Sequence, residues 1–181
     1  MNYKKFAPEI VAMAEERQKM MHEAAQGKKP FDKDIDIRNL ERLRQIVNLF
    51  HSWPTISGVG EEVSYAAWLI VQHANYDQRF QEECLELMRQ VKNDVLPSNI
   101  AYLTDRVAVN KGELQLYGTQ FRKDEDGNMV PYPIEDLKNL EGRRTQMGLE
   151  SFEIYEQKMK GKFKWPEGYE NPRVGRFYKA T

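Results

Sequence analysis

The chain has 181 residues, 40% hydrophobic and 30% charged, with a formal net charge of −1, a composition typical of globular proteins. A near-neutral charge argues against general binding to nucleic acid or to anionic membranes, because both need a basic surface. Cys84 is the only cysteine, which excludes intrachain disulfides and a zinc site built from several cysteines. The N-terminal sequence lacks the apolar run of a signal peptide and no segment is apolar enough to span a membrane, so we expect a cytoplasmic protein.

The first part of the chain predicts three helices. Pro8 and the helical spacing of the apolar residues after it predict a helix over 8–26. Asp36 is suited to cap a second helix that ends near His51. The segment SWPTISGVG predicts a turn-rich loop. Apolar residues over 61–74 cover most of a helix circumference, which is typical of a central helix.

The middle of the chain predicts two helices followed by a β-hairpin. Asp77 can cap the first of these helices, and Ser98 begins a shorter one that ends at about Val107. The segments ELQLYGTQF and MVPYPI, joined by a turn at Asp126-Gly127, then predict a hairpin at about 113–134. Two prolines in the second arm favour an edge position.

Two more helices complete the predicted fold, one from Asp136 to about Met147 and one from Ser151 to about Lys160. Residues 161–181 predict an irregular tail with aromatic and basic side chains. We therefore expect a mainly α protein with a small β-hairpin (α+β). It should be a single compact helical domain over residues 1–181, with a helical core over 8–160.

His73 is a candidate general acid or base because it lies in the most apolar helix, WLIVQHA. An imidazole can exchange protons near pH 7 when a carboxylate or carbonyl orients its second nitrogen. The alternative is a core histidine that donates to one backbone carbonyl.

Asp105 and Arg106 are adjacent in a segment that otherwise reads as buried. Neighbours on a helix diverge by about 100°, so each needs a separate partner. Arg106 can fork onto a substrate carboxylate or phosphate. The alternative is a buried salt bridge that joins the helix to the hairpin.

The segment LYGTQF is a second group of polar residues. Gly118 interrupts its strand pattern, which indicates either a bulge or the close approach of another group. Gln115, Tyr117, Thr119 and Gln120 offer donors and acceptors to a polar ligand. A bulge that only redirects the chain explains Gly118 equally well.

Arg143 and Arg144 are consecutive on a predicted helix, so at most one faces inward easily and a solvated pair is the commoner outcome. The three histidines lack metal-ligand spacing, and the acidic run at 124–126 reads as a solvated turn. We therefore expect neither a metal site nor a cofactor.

Five blocks in order resemble the DUF6624 family, bacterial proteins of unknown function: SWPTISGVGEEVSYAAWLIVQHA, FQEECLELM, AYLTDRVAVNKGELQLYGTQF, PYPIED and RRTQMGLESFEIY. The resemblance covers about residues 36–157. The family pattern usually reads QHAD, whereas Asn75 stands in the acid's place here, leaving Asp77 as the nearby replacement. The resemblance implies a shared polar pocket with these matching positions: Trp53, Pro54, Gly60, Trp68, Gln72, His73, Gln81, Asp105, Arg106, Gln115, Tyr117, Gly118, Thr119, Gln120, Arg143 and Arg144.

Together these features favour a small enzyme, a metal-independent hydrolase or lyase that acts on a small polar or anionic molecule. His73 and Asp105 would be its catalytic residues. The ligand-binding residues would be Arg106, Gln72, Gln115, Tyr117, Thr119, Gln120, Arg143 and Trp68. The alternatives are a non-catalytic metabolite- or protein-binding module in a bacterial regulatory or conflict system, and a network that only fixes the fold. Oligomeric state stays open, and neither nucleic acid nor membrane is an expected partner.

Overall fold

The computed structural model describes residues 3–161, which form two compact units, residues 3–74 and residues 75–161. The expected single domain stays a prediction. Eight α-helices and one two-stranded antiparallel sheet within the described residues confirm the mainly α fold with a small hairpin. No helix between residues 3 and 161 is long and apolar enough to cross a membrane. Except for Gly161, the predicted irregular tail lies outside the described residues.

The first unit contains four helices: α1 (Ala7–Ala25), α2 (Lys33–Phe50), α3 (Ile56–Val59) and α4 (Glu61–Gln72). Helix α4 packs against the three others, in agreement with its predicted central position. An ion pair of 3.0 Å between the nearly buried side chains of Arg17 and Asp36 joins α1 to α2.

Two predictions for this unit need correction. Helix α2 begins one turn earlier than predicted, because Asp32 is its cap and accepts a hydrogen bond from the Asp34 N–H at 2.9 Å. Asp36 therefore lies within the helix, where it pairs with Arg17. The predicted loop at SWPTISGVG contains the short helix α3, whose cap Thr55 accepts a hydrogen bond from the Gly58 N–H at 3.3 Å.

The second unit begins with α5 (Gln78–Gln90) and α6 (Pro97–Asn110), which pack together. Asp77 caps α5 as predicted, accepting from the Phe80 N–H at 3.0 Å. Helix α6 is longer than predicted at both ends. Pro97 fits its first turn because the missing N–H would have no partner within the helix.

The hairpin consists of β1 (Phe121–Lys123) and β2 (Met129–Pro131), with Arg122 opposite Val130. Its first arm is shorter than predicted. Residues 113–120, which we call the polar loop, form no strand and make a single isolated bridge between Gln115 and Ile134.

The unit ends with α7 (Leu140–Gln146) and α8 (Phe152–Met159). Helix α7 begins later than predicted because Asp136 has a left-handed backbone, with a φ of 46°, which a right-handed helix does not accommodate. Gly148 ends the α7 region with a φ of 65°. Ser151 caps α8 as predicted, accepting from the Ile154 N–H at 3.4 Å.

Candidate functional site

The Asp105 carboxylate organises the polar loop. This side chain is fully buried on α6. Its Oδ1 accepts from the backbone N–H groups of Leu116 (2.8 Å) and Tyr117 (3.0 Å). Its Oδ2 accepts from both the backbone N–H and the hydroxyl of Thr119, each at 2.9 Å. The carboxylate thus takes the N–H groups that a partner strand would otherwise bind, which explains why the alternating sequence does not form a strand.

Burial raises the pKa of the Asp105 carboxyl, and the hydrogen bonds from Thr119, Tyr117 and Leu116 act against that shift. These donors already occupy both oxygens. The arrangement suits a loop anchor better than a group that must receive a proton from a ligand.

Gln115 and Gln120 fix the two ends of the polar loop to each other. The Gln115 side chain, also fully buried, donates to the carbonyls of Gln120 (3.0 Å) and Tyr132 (2.8 Å) and accepts from the Gln120 N–H (2.8 Å). The Gln120 amide donates to the Thr119 hydroxyl at 2.8 Å and to the Tyr102 carbonyl at 3.4 Å. Gln115 and Gln120, two of the three glutamines predicted to bind a ligand, therefore use their amides within the protein.

Arg143 and Arg144 both turn inward and bind backbone carbonyls, contrary to the expected solvated pair. Arg143 donates to the carbonyls of Leu116 (2.8 Å) and Asp136 (3.0 Å). Arg144 is only 1% exposed and donates to the carbonyls of Glu150 (2.8 Å) and Tyr117. Both guanidiniums can bind because Leu116 and Tyr117, neighbours in the loop, offer carbonyls that helix or sheet bonding has not used.

Gly118 is explained by packing. Its φ is +66°, and a Cβ at this position would lie 2.7 Å and 2.9 Å from two ring carbons of Phe152. Phe152 fills the space in which a ligand would have to approach the backbone. This close packing favours a structural role for Gly118 over the approach of a ligand to its backbone.

Arg106 differs from Asp105, Gln115 and Gln120 in having a buried side-chain nitrogen without a hydrogen-bond partner, a feature that it shares with the Nη2 of Arg144. The Arg106 Nε is buried and has no hydrogen-bond partner, and no carboxylate within residues 3–161 pairs with this guanidinium. Burial lowers the pKa of Arg106, and the hydroxyls of Tyr132 and Tyr155 act electrostatically against that shift. A guanidinium still stays charged near neutral pH. An uncompensated charge of this kind is costly.

Tyr132 and Tyr155 act electrostatically on Arg106, and we call these two tyrosines, together with Tyr102 and Arg106, the Arg106 cluster. Tyr102 lies one helical turn before Arg106, on the same face of α6. Its ring meets the Tyr155 ring edge-on, with centroids 6.1 Å apart. The Tyr155 hydroxyl donates to the Thr119 carbonyl at 3.0 Å, and burial raises the pKa of this phenol strongly. Tyr132 completes the cluster.

Arginines also lie against two rings of the cluster. The Arg144 guanidinium is 5.2 Å from the Tyr155 ring centroid, and the Arg122 guanidinium is 5.9 Å from that of Tyr132. Such contacts stabilise a cation modestly but do not neutralise it. The cluster is therefore rich in positive charge.

The other predicted site residues belong to the first unit. Trp68 and Gln72 are buried on α4, and His73 is half-buried at the C-terminal cap of that helix. Their approach to Arg106 remains a prediction. Among residues 3–161, no group of three or more potential ligands is arranged to hold a metal ion.

None of the three tyrosines of the Arg106 cluster was among the residues predicted from the sequence to form the site. Tyr102 had a usable signal, since its spacing of four from Arg106 places both on one helix face. Tyr132 and Tyr155 come from distant segments, and no local pattern predicts their approach.

Fold and site define a helical protein in which one buried carboxylate organises a loop beside a guanidinium that lacks a counter-ion. Residues 7–164 match the model of DUF6624, a family of unknown function. The chain belongs to this family. No curated protein and no solved structure matches it.

Proposed function

We propose that this protein binds a small anionic molecule through Arg106. The observation that carries the proposal is the buried Arg106 Nε, which has no partner within the described residues. A carboxylate or phosphate would supply the missing acceptor and the missing negative charge in one contact. The Tyr132 hydroxyl can add a hydrogen bond to such a ligand, whereas the Tyr155 hydroxyl already donates to the Thr119 carbonyl.

The neighbouring residues support the choice of Arg106 over the rest of the predicted site. Asp105, Gln115, Thr119 and Gln120 bind groups of the protein itself. Their role in this proposal is to hold α6 and the polar loop in place. The Arg144 Nη2 also lacks a partner, but the other two nitrogens of Arg144 donate to carbonyls, whereas no hydrogen bond of the Arg106 guanidinium occurs within the described residues.

The direct test is calorimetric titration of the wild-type protein with inorganic phosphate and with acetate. We expect at least one of these anions to bind and Arg106→Gln to abolish the binding. Arg79→Gln is the matched control, since Arg79 is exposed in the same unit and pairs with Glu83 at 3.0 Å. Equal binding by wild type and Arg106→Gln would contradict the proposal.

A second candidate function is catalysis, a hydrolase or lyase reaction on a small polar or anionic molecule. Its candidate general acid or base is His73, whose side chain is only half-buried. A small-molecule extract incubated with wild type, His73→Gln or Arg106→Gln and compared by mass spectrometry separates the two functions. Substrate loss in the wild type alone supports an enzyme, whereas binding without turnover supports a metabolite-binding module.

We also propose that the protein acts in the cytoplasm, without nucleic acid or membrane as a partner. Its net charge of −1 supports the expectation that neither nucleic acid nor an anionic membrane is a partner. Fractionation of cells that express a tagged chain tests this location.

A further inference from the structure

We draw no further inference here: the strongest candidate, the groove of the first unit between the C-terminal half of α1 and the start of α2, combines apolar side chains such as Met20 and Phe31 with charges of both signs, and nothing in the structure shows what covers it.

Discussion

Asp105 accepts two hydrogen bonds from Thr119, one from its backbone N–H and one from its hydroxyl, both at 2.9 Å. This double contact joins α6 to the polar loop at Thr119, which forms no strand. It makes Asp105 a part of the scaffold that positions its neighbour Arg106. The two adjacent residues thus have opposite roles, and their variants should behave differently.

Asp105→Asn should destabilise the protein by about 3 kcal/mol, because an amide turned toward the loop leaves one or two buried N–H groups without an acceptor. Urea unfolding of wild type and variant measures the change. Asp126→Asn at the exposed hairpin tip is the control, and we expect it to be neutral. A catalytic Asp105 would give the reverse result, lost turnover at unchanged stability.

Arg106→Gln should raise the free energy of unfolding by about 1 kcal/mol or more, since it removes a costly buried charge and leaves no carboxylate within the described residues without its partner. Arg106→Lys keeps the charge but loses the two-point fork, so we expect anion affinity to fall about tenfold. Urea unfolding with and without phosphate measures both effects. Strong destabilisation by both variants, with no anion-dependent shift in the wild type, would make Arg106 a structural residue.

Gly118→Ala should lower stability by about 1–3 kcal/mol, because the new methyl group overpacks against Phe152 and the backbone has a positive φ. Adding Phe152→Leu to the alanine variant should restore part of the loss by making room. Thermal melts of the single and double variants measure the loss of stability and its partial recovery. Anion binding by the folded Gly118→Ala protein should match the wild type, and a selective loss of binding would indicate a ligand at this glycine.

Tyr155 should remain protonated in the folded protein at pH values at which free tyrosine ionises, since burial raises its pKa strongly from the ordinary value of 10.0. A group whose pKa is raised on folding contributes stability below its unfolded pKa, and that contribution is lost as pH rises toward the folded pKa. Stability should therefore fall above about pH 10, and less steeply in Tyr155→Phe. Phenolate absorbance and urea unfolding across this pH range measure both, and identical pH profiles would contradict the prediction.

Removal of divalent cations should leave the thermal midpoint unchanged, because no dense set of metal ligands occurs within the described residues. Melts before and after treatment with a chelator measure it. A chelator-induced drop that zinc or magnesium reverses would reveal a metal site.

Local chemistry in the sequence predicted the helices well. Asp77 and Ser151 cap α5 and α8 as their side chains suggest. The start of α2 was mispredicted because Asp32 and Asp36 are both suitable caps. Sequence alone does not reveal that Asp36 pairs with Arg17 from another helix.

Polar residues of the site were easier to find than to interpret. The period-two pattern of the polar loop predicted a strand. This prediction was wrong because the pattern reflects which side chains alternate, and it does not show which groups accept hydrogen bonds from the backbone N–H groups. The Asp105 oxygens are those acceptors. Likewise Arg106 stood out as a polar residue in an apolar segment, whereas its lack of a counter-ion depends on the positions of every acid around it.

The shared acceptor in the polar loop also has a dynamic consequence. The amides of Leu116, Tyr117 and Thr119 depend on one carboxylate rather than on separate carbonyls along a strand. A single side-chain movement at Asp105 would release all of them together. Their protection against hydrogen–deuterium exchange should therefore rise and fall as one group, with a common opening free energy, as in a cooperative unit of local unfolding.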